Sequence, residues 1–500
     1  MTRRDFISVV AAASVSRAAV EPSRDDIIFV STARLAQLIR EKKVSATEAV
    51  QAFVARIHAV NPRLNAVVQT CFERALQEAK DADALLAQGK RKGPLHGVPM
   101  TIKDSIDTEG VITTGGTVGR MNYIPKKDAT VVARLRAAGA ILLGKTNTPE
   151  FTLAGGGIAG VGTTANIIYG ISRNPYDVSR STSGSSGGAG AIVAAGGAAF
   201  DVGSDWGGSI RGPAHANGIA GIKPTSGRVP RTGHIVDYGG VFDSWQQLGP
   251  LARRVEDLIL ILPLISGPDF RDAGIVPMPW PDAEKVEIAK LRVTFYPTNG
   301  VAETTKETME TVRQAAKWME EAGCKVKEDF PKDLVMEMEE VRQKLIRADG
   351  SAYLKRLTER WGTKAPSATI AERMKGEQAP TPEYTELLEK QDAARSKLLS
   401  WVKNYDVILC PVAGKPAQPI NFGIDASPPR PGSSYTGLYN STGWPAAVVR
   451  AGTSPEKLPI GLQVVGQPWR EDVVLAVCRY LESKTGGWQK PLITSTPSAS

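Results

Sequence analysis

Three stretches of this 500-residue chain hold side chains whose types and spacing suit catalysis. The first is STSGSSGGAG, residues 181–190, with four serines and four glycines. Each glycine inside a helix costs about 1 kcal/mol relative to alanine, so such a run marks backbone that approaches something closely or takes unusual torsions. The second is VGSDWGGSIRGP, residues 202–213, where Ser209 follows Gly207 and Gly208. Successive glycine-rich amides can turn their N–H groups toward one point and hold an oxyanion while a serine attacks a carbonyl, a stabilisation worth about 3–4 kcal/mol. The third is MTIKD, residues 100–104, which puts Lys103 at the end of an apolar strand. Burial disfavours the ammonium form, and a neutral lysine takes a proton from a hydroxyl.

Histidine is a poor candidate for the base. GSSGG (184–188) fits the nucleophile elbow of an α/β-hydrolase, but that elbow follows a buried strand, and RNPYDVSRST before it is polar and contains proline. The triad order also places a histidine well downstream of the serine, whereas the last one here is His234. Two further motifs fail on context. GAILLGKT (139–146) fits a P-loop, yet its central AILL is itself a strand and Gly139 reads as a helix C-cap. GGGIAG (155–160) fits a dinucleotide fingerprint with no strand feeding it. The four cysteines lie far apart without Cys-x-x-Cys, and the four histidines form no His-Glu-x-x-His, so neither a metal nor a cofactor is expected.

The elements that must position these residues alternate between strand and helix. Ser31-Thr32 caps a helical stretch, and Ser45 with Glu48 forms a capping box before another. Residues 100–102 predict a strand, 129–138 a helix and 140–143 a strand, and 190–199 predict a helix of small residues packed on a sheet. From 300 to 405 the chain turns Glu/Lys-rich and amphipathic, predicting a helical insertion or cap with helices over 303–322 and 384–403. Strands are expected at 406–410 and 460–465, and a last helix at 471–483. The alternation predicts an α/β fold with a mixed or parallel sheet covered by helices.

The composition, 42% hydrophobic and 23% charged, is that of a globular protein. The net charge of +9 comes without a Lys/Arg block interleaved with aromatics, which argues against nucleic acid as a partner. Residues 1–25 read as a twin-arginine export signal or disordered leader. Arg3-Arg4, Phe6 and a short apolar stretch precede a small-residue site at Ser16-Arg17-Ala18, which predicts a periplasmic or exported protein. No window predicts a transmembrane span, and residues 491–500 read as a disordered tail.

Taken in order, GVPMTIKD (97–104), DATVVARLRAAGAILLGKTNTPEF (128–151), NPYD (174–177), GSSGG (184–188), GSDWGGSIRGPA (203–214), GIAGIKPTSGR (218–228), STGWPAAVV (441–449) and LPIGLQVVG (458–466) resemble the amidase signature family. The resemblance covers most of the chain and implies one amidase domain over 26–490 with a large mixed central sheet between helices. It also implies an amide hydrolase that needs no cofactor. Ser209 falls at the nucleophile position, Ser185 at a serine in a cis peptide with Gly184, and Lys103 at the base. The amides of Trp206, Gly207, Gly208 and Ser209 fall at the oxyanion hole. Asp205 and Arg211 fall at charged supporting positions. Ser183 stands where the family has glycine, and Trp206 is bulky for its loop.

The resemblance implies a small-molecule amide as partner, split through an acyl-Ser209 intermediate, and leaves room for a homodimer. Three other readings share the sequence: a glutaminase-type subunit of a tRNA-dependent amidotransferase, an esterase, and a binding protein that kept the fold. The export-like leader argues against the first, and the presence of Lys103, Ser185 and Ser209 against the last. Pocket walls are expected from 155–162, from 300–405 and from Tyr435–Trp444. STGWPAAVV and GGWQKP (486–491) are similar to fatty-acid-amide-hydrolase relatives.

Overall fold

Short runs that are apolar at nearly every position bury both faces and pair into a sheet. The computed structural model describes residues 24–153, 163–237, 240–420 and 434–493. Its strands are β1 (Val67–Thr70), β2 (Pro99–Lys103), β3 (Ile141–Thr146), β4 (Ala165–Asn166), β5 (Gly170–Ile171), β6 (Phe200–Asp205) and β7 (Ala220–Lys223). They continue with β8 (Gln247–Ala252), β9 (Arg292–Phe295), β10 (Lys325–Glu328), β11 (Val407–Pro411), β12 (Ala446–Thr453) and β13 (Pro459–Gly466). All but the β4–β5 hairpin join one mixed 11-stranded sheet, ordered β1-β3-β2-β6-β8-β7-β12-β13-β11-β9-β10. β2 runs parallel to both β3 and β6, β11, β9 and β10 run parallel to one another, and the pairs from β6 to β11 are antiparallel. This is the α/β architecture with a large mixed central sheet that the sequence predicts.

The N-terminal helices start where their caps require. Ser31 accepts the N–H of Arg34 before helix Thr32–Arg40, and Ser45 and Glu48 cap helix Ala46–Leu64 reciprocally. The small-residue helix spans Gly187–Ala194, starting three residues earlier than expected, and every residue in it is buried. Its early start follows from its packing. A Cβ at Gly188 would lie 2.4 Å from the Asn147 nitrogen and 2.7 Å from the Ala66 oxygen, so only glycine lets this turn sit against the neighbouring chain.

The 300–405 region differs from a purely helical insertion. Helix Lys306–Glu321 lays Val312, Ala315 and Met319 on the main core, and strand β10 then extends the sheet edge beside β9. Helices Lys332–Ala348, Ala352–Arg360, Ala368–Arg373 and Thr381–Val402 rest on three smaller apolar clusters. These clusters include Tyr435, Phe151 and Trp245, and half-buried Trp206 packs against the one containing Val341 and Leu345.

The P-loop-like stretch is a helix end followed by a strand: Gly139 has φ +98° after helix Thr130–Ala137, and Gly144-Lys145-Thr146 lies within β3. Among the described residues no helix is long and apolar enough to cross a membrane, and no His/Cys/Asp/Glu group could hold a metal ion. The arginine pair at 3–4, the 155–160 glycines, the whole of the 155–162 wall and the end of the tail lie outside the described residues.

Candidate active site

Lys103 is the last residue of β2 and is fully buried. Its Nζ lies 2.6 Å from Ser185 Oγ and 2.9 Å from both Ser186 Oγ and Ser204 Oγ. Burial pushes its pKa down to about 7, against the upward pull of Asp205 and Asp201. The neutral amine is therefore well populated near neutral pH. Asp201, on the adjacent β6 opposite Thr101, accepts hydroxyl hydrogens from Thr101 at 2.6 Å and Thr146 at 3.0 Å. Burial pushes its carboxyl up to about 7, and its Oδ1 has no hydrogen-bond partner among the described residues.

Ser185 follows a cis peptide bond with Gly184 and is almost fully buried. The next residue, Ser186, precedes helix Gly187–Ala194 and donates its N–H to the Ser209 carbonyl at 3.1 Å, which ties the two serine segments together. Ser209 is half-buried. No hydrogen bond joins the Ser185 and Ser209 hydroxyls among the described residues; such contacts commonly tighten only once substrate is bound.

The turn after β6 is wrapped around the Asp205 carboxylate. Its Oδ1 accepts the Gly208 N–H at 2.8 Å, and its Oδ2 accepts the Ile210 N–H at 3.1 Å. Arg211 grips both oxygens, at 3.0 and 2.9 Å, and Asn440 adds a bond at 2.9 Å. Burial opposes ionisation of Asp205, but Arg211, Asn440 and the Ile210 N–H outweigh it and hold the carboxyl well below the usual range. Arg211 is equally buried and also donates to the Thr436 carbonyl and Gln463 Oε1. These bonds fix the turn with two charges that cancel.

They also correct one expectation. The Gly208 amide is committed to Asp205, and a charge-assisted bond of this length leaves no N–H for an oxyanion. The amides of Gly207 and Ser209 have no hydrogen-bond partner among the described residues. A Cβ at Gly207 would meet nothing within 4 Å, so this side of the turn faces open space. The Trp206 ring packs against Trp245, with ring centroids 5.7 Å apart.

The buried histidines nearest these elements do other work. His215 accepts the Gly461 N–H at 2.9 Å and lies 3.1 Å from the Lys415 carbonyl. His234 accepts the Val236 N–H at 3.3 Å, and burial, then the nearby Lys103, pushes its pKa well down. Neither is hydrogen bonded to Ser186 or Ser209. Sequence reasoning missed Ser204 and Asp201. Strand alternation was the available signal for Asp201, which shares a sheet face with Asp205.

This fold, with its buried amine among serine hydroxyls, defines a hydrolase acting on amide C–N bonds. The chain belongs to the Amidase family, whose sequence description matches residues 48–475. It is 34% identical over 496 residues to the A subunit of the glutamyl-tRNA(Gln) amidotransferase of Moorella thermoacetica, covering 92% of this chain and 97% of that one. It is 31% identical over 512 residues to fatty-acid amide hydrolase 2 of Homo sapiens, covering 94% and 92%. A solved structure of a fatty acid amide hydrolase superposes with a TM-score of 0.81 at 25% identity, over 93% of this chain and 87% of that one.

Proposed function

We propose that the protein hydrolyses a carboxylic acid amide to acid and amine through an acyl intermediate on Ser209. The observation that carries this reading is the 2.6 Å contact between Lys103 Nζ and Ser185 Oγ in a site where burial lowers the amine pKa to about 7. In the cycle, neutral Lys103 takes a proton from Ser185 as Ser185 takes one from Ser209. The Ser209 oxygen attacks the amide carbonyl, and the N–H groups of Gly207 and Ser209 receive the oxyanion. The proton returns through Ser185 to the leaving nitrogen, the C–N bond breaks and the acyl-serine forms. Water, deprotonated by the same relay, then attacks the acyl carbon and releases the acid. Proton return matters most for amides, because amines are poor leaving groups.

The Ser209→Ala and Lys103→Ala variants abolish hydrolysis across a panel of amides of varied acyl length and amine group, while His215→Ala and His234→Ala largely retain it. Mass detection of an adduct on Ser209 completes the test. Loss of activity in the histidine variants alone would sink the reading in favour of a histidine-dependent esterase. The similarity to amidotransferase A subunits supports a second reading, a glutaminase that works within a larger assembly. The Arg3-Arg4 leader favours an exported enzyme acting on its own. Amide hydrolysis by the isolated chain separates the two.

A further inference from the structure

Arg342 lies on helix Lys332–Ala348 and is only 9% exposed. Its one charged contact among the described residues is Glu339, with Nε 3.7 Å from Oε1, beyond hydrogen-bond distance. None of its guanidinium N–H groups is hydrogen bonded among the described residues, and none of its nitrogens is sealed from solvent. Glu339 Oε1 is itself buried without a hydrogen bond, so this pair does not satisfy itself. Five donors without a protein acceptor, on a residue only 9% exposed, are free to meet an anion that comes from outside.

The guanidinium is linked to the candidate active site through two residues. A Cβ at Gly437 would lie 2.5 Å from Arg342 Nη2 and 2.9 Å from its Cζ, so Arg342 presses on bare backbone there. The preceding residue, Thr436, donates its hydroxyl to the Gly207 carbonyl at 2.7 Å, and a Cβ at Gly208 would lie 2.4 Å from Thr436 Oγ1. Contact therefore runs unbroken from the guanidinium through Gly437 and Thr436 to the turn that carries Ser209. On the same helix, Val341 and Leu345 belong to the cluster against which Trp206 packs. Arg342 thus sits between two supports of the Gly207 turn.

We propose that Arg342 anchors a carboxylate on the substrate, so that the enzyme prefers amides with an anionic group at one end. A planar fork of donors matches a carboxylate in two parallel bonds, and the partly desolvated setting strengthens them. This rests on the amidase reading above.

The test is competition against labelling of Ser209 by a neutral fluorophosphonate, followed by mass spectrometry, with each variant's rate normalised to its own uncompeted rate. The competitors are the monoamides of succinic and glutaric acid beside butyramide and pentanamide. N-butyrylglycine beside N-ethylbutyramide places the carboxylate on the amine side instead. One carboxylated member protects at about tenfold lower concentration, or better, than its uncharged counterpart, and whichever does so fixes the side. Arg342→Met erases that preference, and Gly437→Ala, which displaces the guanidinium without removing it, weakens it. Equal protection by charged and uncharged members, or a preference that survives Arg342→Met, overturns the proposal. Should the fluorophosphonate fail to label Ser209, the amidase reading falls. The subsite is then judged by the thermal midpoint, which the same monoamides raise in the parent protein and not in Arg342→Met.

Discussion

An amine that must accept a proton has to be kept from holding one. Lys103 achieves this by full burial, with three serine hydroxyls around its Nζ instead of a carboxylate in direct contact. Asp201 and Asp205 lie on the same face of β6 and pull the lysine pKa back up, so about 7 is a compromise between desolvation and two nearby acids. The sign of the pH dependence follows. The base works when deprotonated, so kcat/KM rises with pH through about 7 and falls below it. Asp201→Asn removes one of the two raising influences while its amide oxygen still accepts from Thr101, so the acid limb moves to lower pH. A limb that stays in place in a pH–rate profile shows that Asp201 does not act on Lys103. Lys103→Arg, whose guanidinium holds its proton at every working pH, loses at least 100-fold in kcat/KM. At this scale Lys103, Ser185 and Ser209 were legible because they sit in long motif stretches. The diversion of the Gly208 amide to Asp205 was not, because it depends on how the turn curls around one carboxylate.

Among the elements, helix Gly187–Ala194 does most to hold the site together. It shows no polar face, and its first turn is seated against Asn147 and Ala66 on the neighbouring strand connections. Gly188→Ala would push a methyl to 2.4 Å from a backbone nitrogen, with no flexible side chain able to yield. Overpacking of this kind costs about 1–3 kcal/mol, and here the backbone shift also moves Ser186 and Ser185 relative to Lys103. The variant therefore shows a lower urea midpoint together with a fall in kcat, whereas a purely local packing defect would lower only the midpoint. Helix ends with side-chain caps, such as Ser31 and the Ser45–Glu48 box, were readable residue by residue. Strand β10 was not. Its sequence, KVKE, has the charged composition of the helices around it, and only its pairing with β9 makes it a strand. Lysines on an exposed edge strand also discourage further pairing, so edge protection masks the strand signal.

Across the whole molecule, the sheet order joins segments far apart in the chain, with β12 bridging β7 and β13. Local periodicity gives the strands but carries no information on which distant strand becomes a neighbour. The two ends of the described chain show the same long-range logic. Trp488 stacks on Phe29 with centroids 5.7 Å apart and donates its indole N–H to the Ala194 carbonyl at 3.1 Å. Arg253, 5.8 Å from that ring, donates to the carbonyls of Val193 at 3.1 Å and Ala198 at 2.7 Å. Phe29, Trp488 and one arginine thus close over the C-terminal end of the helix whose other end carries Ser186. Trp488→Ala leaves the Ala194 carbonyl and the Arg253 face uncovered and costs about 3–5 kcal/mol, read as a lower urea midpoint. An eight-residue helix spans about 12 Å, so the catalytic end lies far from the lesion. Activity per folded molecule is therefore retained in Trp488→Ala well below the unfolding transition. Loss of kcat at full folded population would instead mean that the helix transmits displacement from the Trp488 contact to Lys103.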